Sequence, residues 1–181
     1  MNVIEKAKVF ATAAHAAVKQ MRKYTGDPYI VHPAEVAAIV DNVPGRTDEM
    51  VAAAWLHDTV EDTGVTIEII ETEFGSRVAE LVGWLTDISK PEDGSRATRK
   101  AIDRAHSASA PGEAQTIKLA DLLSNTRSIT EYDPSFAKVY IQEKMLLLEA
   151  MTRGDRELYA RCRRQVERFH DAAPEPTRTK D

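Results

Sequence analysis

Apolar positions recur every three to four residues along most of this chain, and the pattern never alternates in the strict period of two that a half-buried strand requires. From Asn2 to Met21 the stripe is Ala7, Phe10, Ala11, Ala14, Ala17 and Val18. Asn2 stands as N-cap with Glu5 three residues on, the spacing of a capping box. Gly26 and Pro28 then break the periodicity and predict a loop. A second helix is expected over about 34–43, with Pro33 at its first position and His32 beside the cap. Thr47 is the expected cap of a third, central helix, and the run Met50 to Leu56 is apolar on every side.

Thr66 and Ser76 are expected to cap two further helices, ending near Phe74 and Thr86, with a loop over 89–95 after them. Arg96, Arg99, Lys100 and Arg104 give the next helix a basic face. A small-residue linker over 107–112 leads to a strong helix carrying Ile117, Leu119, Leu122, Leu123 and Ile129. Asp133-Pro134-Ser135 reads as a turn and cap before a helix over 136–152. A mostly charged helix from Arg156 to about His170 follows. The fold class is therefore all-α, a single compact helical bundle with no significant β-sheet. Residues 1–171 form one domain, and 172–181, with two prolines and no apolar anchor beyond alanine, are expected to be a disordered tail.

Composition narrows the setting. At 181 residues with 43% hydrophobic and 29% charged content, the chain suits one domain with a real core and a polar surface. A net charge of −5 argues against a general nucleic-acid binder. Cys162 is alone, so no intrachain disulfide forms, which suits a reducing compartment. No apolar run reaches membrane-spanning length, and the start lacks the order of a signal peptide. A cytoplasmic location is expected, and the oligomeric state is not readable.

The chemistry concentrates at the end of the central helix, in His57-Asp58-Thr59-Val60-Glu61-Asp62-Thr63. On one continuous helix, His57 would share a face with Glu61, and Asp58 with Asp62. Three acids so close repel one another unless a cation neutralises them, and negative charge at a helix C-terminus opposes the dipole. Imidazole and carboxylate together suit Mn²⁺, Fe²⁺ or Zn²⁺. Farther on, Lys118, Asp121, Asn125 and Ser128 track one face of the strong helix. His15 stands beside the first stripe and is expected to be structural.

The separated set His32, His57-Asp58 and Asp121 resembles the metal site of the HD-domain phosphohydrolases. Longer strings are more specific: Arg22-Lys23 with Gly26-Asp27-Pro28-Tyr29-Ile30-Val31-His32-Pro33, then 57–63, 74–82 and 118–125. In this order they resemble the RelA/SpoT-type alarmone hydrolases, specifically the small, hydrolase-only members. That resemblance implies removal of pyrophosphate from the 3′ position of (p)ppGpp with one Mn²⁺ per chain, held by His32, His57, Asp58 and Asp121. It implies Glu61 and Asp62 as the pair that positions water and takes its proton. A polyanionic substrate needs a cationic clamp, for which Arg22, Lys23 and Lys118 are the candidates, with Arg99 and Lys100 as weaker additions. Asn125 matches a ribose contact, Ser128 falls where members often carry threonine, and Tyr140 is expected to line the base pocket. The chain departs from the family at Leu122 and Ser124, and across 89–112. Other readings of the same residues are open: an adenosine alarmone such as (p)ppApp, NADPH, or a sensor that binds the nucleotide without turnover.

Overall fold

The structure is a computed structural model, and it describes residues 1–172. Ten α-helices make up this part: α1 (Val3–Ala17), α2 (Val31–Asp41), α3 (Asp48–Leu56), α4 (Thr59–Asp62), α5 (Ile67–Phe74), α6 (Ser76–Leu85), α7 (Arg96–Ser109), α8 (Gly112–Tyr132), α9 (Pro134–Ala150) and α10 (Arg156–Ala172). One short 3₁₀ turn (Pro91–Asp93) lies before α7. The described residues contain no strand, only an isolated bridge between Met21 and Pro28. The all-α expectation holds. The expected tail lies outside the described residues, apart from Ala172, which ends α10.

Helix α3 is the axis. Met50 to Ala54 and Leu56 are all buried, because α1, α2, α6 and α8 pack around it. A helix apolar on every side is stable only when surrounded in this way. Each of its large side chains contributes ~1.5–3 kcal/mol by leaving water. On the far side, α8 packs on α9 and α10, and Ile117, Leu119, Leu122, Ile141 and Met151 of this half are buried. The turn into α10 comes so close to α8 that a Cβ on Gly154 would lie 2.7 Å from Leu119 Cδ1 and 3.2 Å from the backbone at Gln115 and Thr116, so a larger residue there would have to displace both.

Caps explain most helix starts. Asn2, Thr47, Thr66, Ser95 and Asp133 each accept a backbone N–H from three residues on, satisfying one of the first-turn donors. Outside the His-Asp stretch, the boundaries that differ most from the expectation are those of α1, α2 and α7. Helix α1 ends at Ala17 rather than Met21, since Lys19 takes a left-handed conformation (φ 53°). Helix α2 begins at Val31, so His32 and Pro33 lie inside its first turn, where a missing amide hydrogen breaks no helical bond. Helix α7 runs on through Ser109 and shortens the linker before α8.

Candidate metal centre and nucleotide site

Rather than one helix running through the His-Asp stretch, α3 stops at Leu56 and α4 restarts at Thr59. His57 keeps helical dihedrals, but Asp58 shifts to φ −101°, ψ −2°. Consecutive residues on a regular helix point about 100° apart. The break turns both side chains inward, so that His57 Nε2 lies 3.0 Å from Asp58 Oδ2. The pairing of faces expected from a continuous helix does not form.

Helix α2 supplies His32 and α8 supplies Asp121. His32 Nε2 stands 3.3 Å from His57 Nε2, 3.6 Å from Asp58 Oδ2 and 3.1 Å from Asp121 Oδ1. Asp121 Oδ1 is 3.8 Å from His57 Nε2. Ligand atoms of His32, His57 and Asp58 all fall within 4.8 Å of one another, and Asp121 closes the set through the two histidines. Both histidines are buried.

The outer nitrogens fix what these rings can do. His57 Nδ1 donates to the Ala54 carbonyl at 2.8 Å. His32 Nδ1 lies 3.1 Å from Ser124 Oγ, whose hydroxyl hydrogen goes to Glu35 Oε2 at 2.8 Å. The serine oxygen therefore accepts, and His32 Nδ1 carries the hydrogen. With both Nδ1 atoms protonated, each neutral ring turns a bare Nε2 lone pair toward the other and toward two carboxylates. Four acceptors face one another with no hydrogen between them, which is the donor set of a divalent cation, with its histidines oriented by outer partners. Without a cation, a proton takes its place: burial opposes charge on His57, but Asp58 and Asp121 outweigh it and push the ring up to about 9. Burial likewise opposes charge on Asp58 and Asp121, yet the histidines, and Lys118 beside Asp121, hold both well below the usual carboxylate range.

Around this cluster the sequence-identified residues separate into groups. Arg22 reaches α8, where its guanidinium donates to Asn125 Oδ1 (3.3 and 3.4 Å) and Ser128 Oγ (3.1 Å). Asn125 Nδ2 donates to Asp121 Oδ1 at 2.7 Å, joining this group to the cluster. Lys118 Nζ lies 3.9 Å from Asp121 Oδ2. Lys23 lies elsewhere, largely exposed, beside Tyr24 and 3.7 Å from Asp133. Tyr140 is buried on α9, its phenol raised by burial and by Asp121.

Glu61 and Asp62 follow on α4. Glu61 is exposed as a residue, but its carboxyl accepts the Asp87 N–H at 2.6 Å. Burial of that carboxyl and the Asp87 charge push it up to about 7. Asp62 Oδ2 accepts from Gln20 Nε2 at 2.8 Å, and Gln20 Oε1 accepts from buried His15 Nδ1 at 2.7 Å. Tyr29, packed on His15 with ring centres 4.9 Å apart, donates its hydroxyl to Asp58 Oδ2 at 2.6 Å. Sequence reasoning assigned no role to Gln20, Tyr29, Ser124 or Glu35. Tyr29 lay within the string around His32 and Ser124 was visible as a departure from the family, while Glu35 stands one turn along the helix from His32.

An HD-domain model matches residues 7–148, which include all four cluster residues. The chain belongs to the HD-domain family. Within it, the chain is 42% identical over 125 residues to the mouse guanosine-3′,5′-bis(diphosphate) 3′-pyrophosphohydrolase MESH1, covering 68% of each protein. Human MESH1 is 42% identical over 135 residues, with 72% of this chain and 74% of the relative covered. A probable GTP pyrophosphokinase from Mycobacterium leprae is 38% identical over 135 residues, but this chain spans only 17% of that protein's length. It likewise spans 17% of a probable 3′-pyrophosphohydrolase from Synechocystis. Among solved structures, a metazoan SpoT orthologue superposes with a TM-score of 0.82 at 24% identity, covering 93% of this chain and 96% of its own, and so shares the fold. A Listeria monocytogenes protein aligns with a TM-score of 0.65 at 28% identity, covering 80% and 99%.

Proposed function

We propose that this HD-domain protein hydrolyses the 3′-pyrophosphate of (p)ppGpp with one divalent ion, Mn²⁺, yielding GDP or GTP and pyrophosphate. The observation that carries the reading is the convergence of two imidazole Nε2 atoms and two carboxylates from His32, His57, Asp58 and Asp121, with Glu61 and Asp62 following on the next helix. The 3′-pyrophosphohydrolase activity for which the MESH1 relatives are named supports the choice of substrate.

An ion bound there supplies Lewis-acid polarisation of a phosphoryl oxygen and a lowered pKa for water. The remaining work belongs to the chain. Glu61, with a carboxyl near neutral pKa, accepts the proton that attacking water loses. Asp62, held by Gln20, keeps that water in line. The water oxygen bonds to the phosphorus on the 3′ oxygen, the bond between them breaks, and the 3′ oxygen leaves as the ribose hydroxyl after taking a proton. Arg22, Asn125 and Ser128 form a polar rail along α8 for the nucleoside. Lys118 offsets the negative charge that gathers beside Asp121. A base pair of this kind has no use in a protein that only senses its ligand, which favours turnover over a sensor.

The test is direct. Protein stripped of metal and reloaded with Mn²⁺ should convert ppGpp to GDP and pyrophosphate, resolved by ion-exchange chromatography, while the stripped protein should not. Hydrolysis of NADPH or an adenosine alarmone with ppGpp left intact would assign the site to another nucleotide.

A further inference from the structure

A second polar cavity lies on the N-terminal side of Asp121, between α7, α8 and α9. Lys100 and Arg104 from α7, Lys118 from α8 and Lys144 from α9 wall it, with Asp87, Asp103 and Glu143 among them. The acids are already engaged. Asp87 Oδ2 holds Lys100 at 2.8 Å. Asp103 accepts the backbone N–H groups of Ile88 and Ser89 and the Ser89 hydroxyl. Glu143 takes both prongs of Arg96 at 2.8 and 2.9 Å.

Three of the cations are poorly answered, Arg104 having no hydrogen bond or ion pair among the described residues. Lys118 reaches the Leu85 carbonyl only at 3.4 Å and Asp121 at 3.9 Å. Lys144 makes no hydrogen bond or ion pair among the described residues, and its ammonium rests 4.9 Å from the centre of the Tyr140 ring. Burial, then the charge of Lys118, bring it down to about 8. Lys144 is half-buried, and an ammonium partly withdrawn from water beside a second cation favours the arrival of an anion. The cavity has about 60 Å³ of room, several times the ~10–15 Å³ that one water needs on the same measure.

Position says which anion. Along α8, Lys118 precedes Asp121 by three residues and Asn125 follows it by four, so they flank the metal cluster on opposite sides, each about one turn away. The nucleoside rail of Arg22, Asn125 and Ser128 lies to one side. A ligand whose reacting phosphorus sits at the cluster sends its other end toward Lys118 and Lys144. We propose that this cavity seats the terminal phosphoryl group of the departing pyrophosphate, and that Lys144 is the residue by which the protein tells a 3′-diphosphate from a 3′-monophosphate. This rests on the hydrolase reading above.

The experiment measures inorganic pyrophosphate and orthophosphate binding to the metal-loaded full chain by equilibrium dialysis, without nucleotide. Lys144→Met keeps most of the side chain's bulk and removes its charge; Lys144→Gln serves if the first variant folds poorly, and Lys144→Arg restores the charge. Since a hydrogen bond to a charged group is worth about tenfold or more in affinity, Lys144→Met should weaken pyrophosphate binding by about that factor. Orthophosphate should be unaffected, and Lys144→Arg should recover most of the loss. In turnover, the preference for ppGpp over guanosine 5′-diphosphate 3′-monophosphate should shrink in parallel. Pyrophosphate binding unchanged in Lys144→Met, or weakened equally with orthophosphate, would overturn the assignment. Failure of the hydrolase reading shows separately, as wild-type protein that leaves ppGpp intact whatever it does with pyrophosphate.

Discussion

Two buried carboxylates, Asp103 and Asp121, sit on neighbouring helices at 5% and 8% exposure, and their surroundings could hardly differ more. Asp103 is met by two backbone N–H groups and a hydroxyl, all within 3.1 Å. Its charge is answered inside the protein, and it pins the segment before α7 to that helix. Asp121 receives one amide N–H from Asn125 and has Lys118 no nearer than 3.9 Å, while its Oδ1 faces two imidazole lone pairs in a cluster that also holds Asp58. Burial therefore does not mark a functional acid. What marks it is a set of neighbours that completes only when a cation arrives.

The largest effect expected from this contrast is on the metal. Asp121→Ala or His57→Ala should abolish retention of the divalent ion and activity, with most helicity kept. Metal analysis after gel filtration alongside circular dichroism checks this, and a fully active Asp121→Ala in metal-depleted buffer would erase the distinction between the two acids. Next come Glu61 and Asp62, which stand outside the proposed ligand set. Glu61→Gln and Asp62→Asn should retain the ion and lose about 10²–10⁴-fold in kcat with KM little changed. A carboxyl raised to about 7 fills its basic form as pH climbs, so the wild-type rate should rise with pH up to that region. A bound dication moves the limb lower, and Glu61→Gln should lack it. Loss of the ion in either variant would make these residues ligands.

Smaller effects sharpen the edges. Arg22→Ala should mainly raise KM, by roughly tenfold, as a residue gripping ground and transition states alike does; a change confined to kcat would move Arg22 into the chemistry. Asp103→Ala should leave metal content intact and cost about 1–3 kcal/mol of stability, from three donors left without an acceptor. Urea unfolding with metal analysis reads both, and loss of the ion from Asp103→Ala would break the comparison from its other side.

Much of this was legible in the chain. The caps at Asn2, Thr47 and Thr66 follow from local chemistry, because a side-chain oxygen three residues before a bare amide needs no tertiary help. His32, His57, Asp58 and Asp121 were found through strings that resemble a known family, and the structure brings the four together. The break at Asp58 was not legible, since nothing local forbids a helix there and the convergence of two side chains selects it. Nor were the Gln20 link to Asp62 and the cavity at Lys144. Each joins residues dozens of positions apart, and helical periodicity reports only which face a residue takes, not which helix it meets. Lys19 shows the same limit at short range: its left-handed turn ends α1 early and frees Gln20 for Asp62.

The most direct test is the products formed from ppGpp by the metal-free and the Mn²⁺-loaded protein in a single turnover. The loaded protein should give GDP and pyrophosphate in equal amounts, and the metal-free protein should leave ppGpp unchanged. Equal rates with and without the ion, or release of orthophosphate in place of pyrophosphate, would contradict the proposed reaction.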